Sequence, residues 1–180
     1  MEIRETKLSG LIILEPKVFG DERGSFMETY NRETFARLGL DMTFVQDNES
    51  VSAKGVLRGI HFQRPPFAQG KLVRVVSGRA LDYAVDLRRN SPTYGQYACV
   101  ELSGRNKRMM YLPEGFAHAF LSLEDDTVFN YKCTNFYNKQ SEDGLLWSDK
   151  DLGIEWPVDN PILSEKDLKL GLFKDFVSPF

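Results

Sequence analysis

The sequence predicts an all-β domain with few short helices: a sandwich, jelly roll or barrel. Three observations lead there. Thirteen Phe and seven Tyr accompany few long helical patterns, and aromatic residues suit the pleated, half-buried surface of a sheet. Short apolar or alternating runs recur along the chain, split by turn residues. No repeat, low-complexity tract or linker breaks the pattern, and 180 residues suffice for one core but not two. Residues 1–180 are therefore expected to form one domain, with sheet edges closed or covered.

The expected elements follow in order. Leu11 to Leu14 is an apolar run, and Ser25 to Tyr30 mixes Phe, Met, Thr and Tyr. Arg32 to Leu38 fits one short helix, with Asn31 as N-cap and Gly39 just beyond its end. Strands are expected at Thr43 to Gln46, Val56 to Phe62 and Leu72 to Ser77. Leu81, Tyr83, Val85 and Leu87 then alternate with Ala80, Asp82, Ala84 and Asp86, a period of two. Gln96 to Leu102, Arg108 to Leu112 and Thr127 to Thr134 complete the strands. A second helix is expected after Ser164, the cap of Ser-Glu-Lys-Asp. Turns carrying Gly55, Gly70, Gly78, Asn90-Ser91-Pro92, Ser103-Gly104 and Pro113-Glu114-Gly115 separate many of them.

Composition narrows the function. Apolar residues make up 42% and charged residues 27%, with net charge −3 and no block of like charge. Neither nucleic acid nor an anionic membrane is an expected partner, although a local basic pocket for a phosphorylated ligand remains open. Met1 to Leu8 carries Glu and Lys where a secretory signal needs an apolar run, and no stretch approaches ~20 apolar residues. The expected location is cytoplasmic. Cys99 and Cys133 sit singly in apolar contexts and read as buried, inert thiols.

A barrel encloses a pocket, so inward polar side chains need work or partners. The two histidines, His61 and His118, are 57 residues apart, with no His-x-His. A catalytic first-row metal normally needs about three protein ligands, two or three of them nitrogens, so no metal is expected, the alternative being a site of His61, His118 and a carboxylate. No phosphate-cradling Gly-rich loop and no GxSxG occurs. What remains is proton transfer by His, Tyr, Asp and Lys. His61 alone reads equally as a core histidine or a base. Arg58 precedes it by three residues, Gln63 follows by two, and Lys71 opens the next strand. Such groups are costly to bury without an anionic ligand, the alternative being that Arg58 and Lys71 lie on a solvated outer face.

Several long motifs then stand in order: Asp21-Glu22-Arg23-Gly24, Phe44-Val45-Gln46-Asp47-Asn48-Glu49-Ser50, Gly55-Val56-Leu57-Arg58-Gly59-Ile60-His61-Phe62-Gln63 and Gln69-Gly70-Lys71-Leu72-Val73-Arg74. Ala84-Val85-Asp86-Leu87-Arg88, Ser91-Pro92-Thr93-Tyr94-Gly95, Pro113-Glu114-Gly115-Phe116-Ala117-His118, Asn130-Tyr131-Lys132, Trp156-Pro157 and Leu163-Ser164-Glu165-Lys166-Asp167 follow. Together they resemble the dTDP-4-dehydrorhamnose 3,5-epimerase family over nearly the whole chain. The resemblance implies a dimeric, metal-free jelly roll of the cupin type, a double-stranded β-barrel. It implies a thymidine-diphosphate 4-keto-6-deoxyglucose substrate inverted at C3 and C5, and no cofactor. Residue by residue it implies His61 as base with Asp167 as its partner, Tyr131 as acid on the opposite face, and Lys71 beside the C4 oxygen. Arg23, Glu28, Gln46, Asn48, Arg58, His118, Glu142 and Lys166 match nucleotide- or sugar-contacting positions, and Tyr137 an aromatic position lining the pocket. Arg23 and Glu28 are expected to enter the neighbouring subunit's site. Glu49 and Ser25 depart from the His and Phe that many members carry, outside the acid–base set.

The chemistry fits that assignment. A C4 ketone acidifies C3 and C5 because the carbanion delocalises onto oxygen as an enolate. Inversion needs a base, an acid on the far side and a positive charge by the oxygen. Histidine, with a reference pKa of about 6.5, suits the base, and tyrosine, near 10, stays protonated. Plainer readings make Tyr131 a strand tyrosine, Asp167 a first-turn helical acid, and Glu142 and Lys166 solvated surface, with Asp82 competing to orient His61. The rival functions are a single-centre epimerase of another nucleotide-linked 4-keto sugar, a sugar-nucleotide 3,4-ketoisomerase and a non-catalytic sugar-binding jelly roll. One structural expectation follows. On a strict period of two, Arg58 and His61 point to opposite faces, so a shared pocket requires a bulge or kink at Gly59.

Overall fold

In the computed structural model, which describes residues 1–180, two antiparallel sheets face each other. One runs, in spatial order, β1 (Glu2–Glu5), β2 (Ile12–Glu15), β10 (Met109–Leu112), β7 (Lys71–Ser77), β12 (Thr127–Cys133) and β5 (Gln46–Ser52). The other runs β13 (Glu142–Gly144), β6 (Leu57–Gln63), β11 (Phe116–Ser122), β8 (Arg79–Asp86) and β9 (Tyr97–Ser103). A separate hairpin of β3 (Val18–Asp21) and β4 (Gly24–Met27) pairs only with itself. This is the cupin-type jelly roll expected, in which β5 to β8 and then β9 to β13 alternate between sheets.

Three apolar clusters hold it. Between the sheets lie Val73, Val75, Leu102, Met110, Phe116, Phe120 and Phe129, among others, with Phe120 and Phe129 stacked at 4.0 Å. Behind the five-stranded sheet, Leu57, Ile60, Phe62, Tyr83, Val85 and Leu87 pack under Trp147, Trp156, Phe173, Phe176 and Phe180 of the C-terminal segment. Behind the six-stranded sheet, Phe35 of helix α1 (Arg32–Arg37) covers Leu14, Leu72 and Met109. Asp47, Glu49 and Val51 of β5 keep the outer face of the six-stranded sheet partly exposed. The five-stranded sheet is covered on both faces at its centre, which explains why β11 is buried at every position. It also explains the alternation of β8. Tyr83 and Val85 lie in the cluster beneath the C-terminal segment, whereas Ala80 and Ala84 face the barrel interior, with Asp82 on their side of the strand.

Local signals acted largely as expected. Asn31 caps α1 by accepting from the N–H of Glu33 at 3.0 Å and Thr34 at 3.2 Å, and Gly39 follows with φ +79°. After Ser164 the chain makes only a 3-10 turn, Asp167–Lys169, whose first N–H donates to Ser164 Oγ at 3.1 Å. The strand expected at Thr43 to Gln46 instead begins at Gln46 and runs to Ser52. Glu2–Glu5 and Glu142–Gly144 were not legible as strands because pairing, not apolar pattern, defines them. Both thiols are free, as expected. Cys133 is buried, but Cys99 is exposed on edge strand β9, contrary to the expectation for it.

The irregularity at Gly59 is present. Opposite β11, His61 pairs with His118 and Arg58 with Phe120, so three steps on β6 face two on its partner. That bulge turns Arg58 and His61 to one side. Gly59 adopts φ +140°, and a Cβ there would stand 2.6 Å from Ala119 Cα, so the close strand approach needs glycine.

Candidate active site

The barrel interior opens as two adjoining lobes. One, of about 120 Å³, is lined by Gln46, Asn48, Gln63, Gln69, Cys133, Tyr137 and Glu142. The other, of about 190 Å³, is lined by Ser50, Arg58, His118 and Phe120. His61, Lys71 and Tyr131 line both and form the waist between them. A larger surface cleft, about 740 Å³, holds Arg79, Glu101 and Glu124. There Arg79 already lies 3.5 and 3.4 Å from the two carboxylates, and no imidazole or phenol is present to move a proton.

At the waist, His61 Nε2 lies 2.6 Å from Asp167 Oδ1, and Asp167 is buried. Burial raises the Asp167 carboxyl, but the hydrogen bond and charge of His61, with help from Ser164 and Lys166, hold it below the usual carboxylate value. It therefore stays anionic and holds the imidazole in one orientation. Asp82, the alternative orienter, serves the other histidine: its Oδ1 lies 2.5 Å from His118 Nε2, inside the barrel. Burial pushes the Asp82 carboxyl up, against the pull of His118 and Lys71.

Lys71 and Tyr131 stand on adjacent strands, with the Lys71 ammonium 5.9 Å from the Tyr131 ring centre. Burial pushes the Lys71 ammonium down, while Cys133, Asp82 and Glu142 pull it back up. Burial also raises the Tyr131 phenol, Cys133 and Glu142 adding to it and Arg58 opposing. A phenol shifted upward remains protonated, as an acid requires. No group of three or more His, Cys, Asp or Glu side chains is placed to hold a metal ion.

At the mouth, Glu142 Oε1 lies 2.6 Å from Lys166 Nζ, and Tyr137 donates its hydroxyl to Glu142 Oε2 at 2.9 Å. These residues, readable in sequence as surface, are gathered because β13 pairs Glu142 with Gln63. Gln46 donates to Asn48 Oδ1 at 3.0 Å and accepts from the Tyr137 N–H at 2.8 Å. Arg58 donates to Ser52 Oγ at 3.2 Å.

A family profile described as dTDP-4-dehydrorhamnose 3,5-epimerase matches residues 5–175. The chain belongs to the dTDP-4-dehydrorhamnose 3,5-epimerase family. It is 54% identical over 176 residues to the enzyme of that name from Shigella flexneri, covering 97% of each chain. A Legionella pneumophila dTDP-6-deoxy-D-glucose-3,5-epimerase, solved with dTDP-4-keto-L-rhamnose, is 45% identical with TM-score 0.93, covering 98% of this chain and 94% of that one. A 3′-monoepimerase from Streptomyces bikiniensis, solved with dTDP-quinovose, is 37% identical with TM-score 0.88, covering 93% and 85%.

Of the residues expected in this epimerase-family site, His61, Tyr131, Lys71, Gln46, Asn48, Arg58, His118, Tyr137 and Glu142 line the lobes, and Asp167 and Lys166 contact residues that do. Arg23 and Glu28 do not join them within one chain. Arg23 stands at the hairpin, its side chain 85% exposed, paired with Asp21 at 2.6 Å. Glu28 accepts from Asn31 at 2.9 Å and Thr34 at 3.1 Å. Sequence reasoning missed Ser50, Gln69 and Cys133 as lining residues. Ser50 had a signal: it shares a face with Gln46 and Asn48 once the strand is placed at Gln46–Ser52.

Proposed function

We propose that this protein inverts C3 and C5 of dTDP-4-dehydro-6-deoxy-D-glucose, giving dTDP-4-dehydro-L-rhamnose in dTDP-rhamnose biosynthesis. His61, held by Asp167, removes the proton from C3 or C5. The electrons pass onto the C4 oxygen, and Lys71 stabilises the enolate as a fixed charge. Tyr131 delivers a proton to the other face, and the carbon inverts. No step changes an oxidation state, so the reading includes no cofactor, and it includes a cytoplasmic location. The observation that carries it is the waist, where a carboxylate-held imidazole, a protonated phenol and a lysine line one cavity. Gln46, Asn48, Tyr137, Glu142 and Lys166 take the nucleotide end. Family membership and the overlay with the ligand-bound Legionella enzyme support the substrate assignment.

The same reading makes the protein a homodimer whose sites are shared through Arg23 and Glu28. The hairpin supports this: Phe19 and Phe26 face each other across β3 and β4, 54% and 71% exposed, with no sheet to cover them. A single-centre epimerase is the second reading, favoured by the monoepimerase that shares this fold.

One experiment separates these readings: NMR of the 4-keto sugar nucleotide in deuterated water, which reports exchange at C2, C3 and C5 separately. Exchange with inversion at both C3 and C5 is expected. His61→Ala should abolish both, a loss of about 10² to 10⁴ in rate. Tyr131→Phe should keep exchange but lose product, since reprotonation from the His61 side regenerates substrate. Inversion at one carbon selects the single-centre reading. Exchange at C2 points instead to a ketoisomerase, and wild-type exchange in His61→Ala places the base elsewhere.

A further inference from the structure

Two buried side-chain polar atoms in the chain lack a hydrogen-bond partner, Ser50 Oγ and Asp82 Oδ2. Asp82 sits behind His118 and is not among the lining residues, whereas Ser50 lines the same lobe as Arg58, Lys71 and His118. On β5 it follows Gln46 and Asn48 at steps of two, so the three side chains face the cavity together. The first two are already satisfied by each other and by Tyr137 or Cys133. Ser50 is not. Its cross-strand neighbour is Phe129, fully buried and apolar, and Phe120 lines the lobe beside it, while none of the polar lining groups Arg58, His61, Lys71, His118 and Tyr131 bonds it. Neither phenylalanine ring can accept or donate the bond that a buried hydroxyl needs, and leaving one unmade is unfavourable.

We propose that Ser50 is a specificity-determining residue whose hydroxyl bonds a secondary hydroxyl of the sugar ring, at C2 or C3. The inference rests on the epimerase reading and deepens it. With the nucleotide at the Tyr137 and Glu142 end and the keto oxygen by Lys71, the second lobe is left to the hydroxyl-bearing side of the ring. A buried hydroxyl that no protein group bonds rewards a substrate that completes its bond and penalises one that leaves it orphaned. The proton transfer is assigned to His61 and Tyr131, so the contribution of Ser50 is to selection.

The test uses the full-length protein and three ligands: the 4-keto-6-deoxy sugar nucleotide and its 2-deoxy and 3-deoxy analogues. Deuterium incorporation at C5, a centre all three share, gives kcat/KM for each with wild-type, Ser50→Ala and Ser50→Thr protein. Ser50→Ala is expected to lower kcat/KM for the complete substrate about tenfold and to leave one analogue unchanged. That analogue identifies the hydroxyl read. Ser50→Thr, which keeps the hydroxyl, should retain discrimination in the wild-type sense. Equal losses for all three ligands, or no loss for any, would overturn the proposal, the former marking Ser50 as packing and the latter a hydroxyl satisfied by water alone. Failure of the epimerase reading looks different: wild-type protein would then exchange no C5 proton in the complete substrate.

Discussion

Asp82 and His118 form a second carboxylate–imidazole pair, 2.5 Å apart, alongside the pair of Asp167 and His61. The two histidines are themselves cross-strand partners on β11 and β6. Each carboxylate approaches its ring from a different part of the chain, so neighbouring imidazoles are oriented independently. The His61 pair meets the waist, and the His118 pair backs the second lobe.

From this relationship, Asp82→Asn is expected to leave His61 chemistry intact but free the His118 ring to reorient. The kcat/KM for the 4-keto sugar nucleotide should fall about tenfold or more, the loss of one charge-assisted bond. Residual turnover should keep the wild-type pH profile, because Asp167 still holds the base. Steady-state kinetics across pH checks this, and an unaltered kcat/KM would leave the Asp82 pair with only a structural role.

Gly59→Ala places a methyl group against Ala119 at φ +140°. The expected cost is about 1–3 kcal/mol, combining strain and overpacking. At ~2–4 °C per kcal/mol for a domain of this size, the melting temperature should drop measurably. Activity should fall with it, because the bulge carries Arg58 to the side of His61. Calorimetry beside C5 exchange measures both, and a wild-type melting temperature would mean β6 tolerates a side chain there.

Asp86 is fully buried, and burial alone would raise its carboxyl. Bonds from Arg88 at 2.7 Å, Ser91 at 2.6 Å and Thr93 at 2.7 Å instead bring it down to about 2, from 3.8. A depressed pKa stabilises the fold above about pH 4, and that stabilisation is lost as pH falls toward 2. The contribution is about 2 kcal/mol. Urea unfolding from pH 5 to pH 2 should show wild-type stability approaching that of Asp86→Asn at the acid end. A constant gap between the two proteins would refute it.

Mixing Arg23→Ala chains with His61→Ala chains tests the shared site. If Arg23 serves the partner's pocket, mixed dimers contain one site with both residues intact, and activity should recover to roughly half the wild-type value per mixed dimer. Mixed dimers that form without recovery, or a monomer at working concentration, would exclude sharing.

Much of this was legible in the chain. The period of two in β8, the Asn31 cap and the turn glycines act locally, through backbone preference, and produced their elements near the expected places. The need for a bulge at Gly59 was also legible, since two side chains three residues apart cannot otherwise share a face. Strands such as Glu2–Glu5 and Glu142–Gly144 were not, because their evidence lies on the strand they pair with.

For the site, the sequence by itself determined which groups could move protons and that His61, Arg58 and Lys71 belong to neighbouring strands. Only the tertiary structure decided the pairings. Asp167 reaches His61 across 106 residues, and Asp82 reaches His118 across 36. Lys166 and Glu142 meet as an ion pair where composition alone reads as solvated surface. The reason is physical: a hydrogen bond holds only within a few tenths of an ångström of a separation of ~2.8 Å. Such a distance between residues far apart in sequence exists only once the sheets have closed around the core.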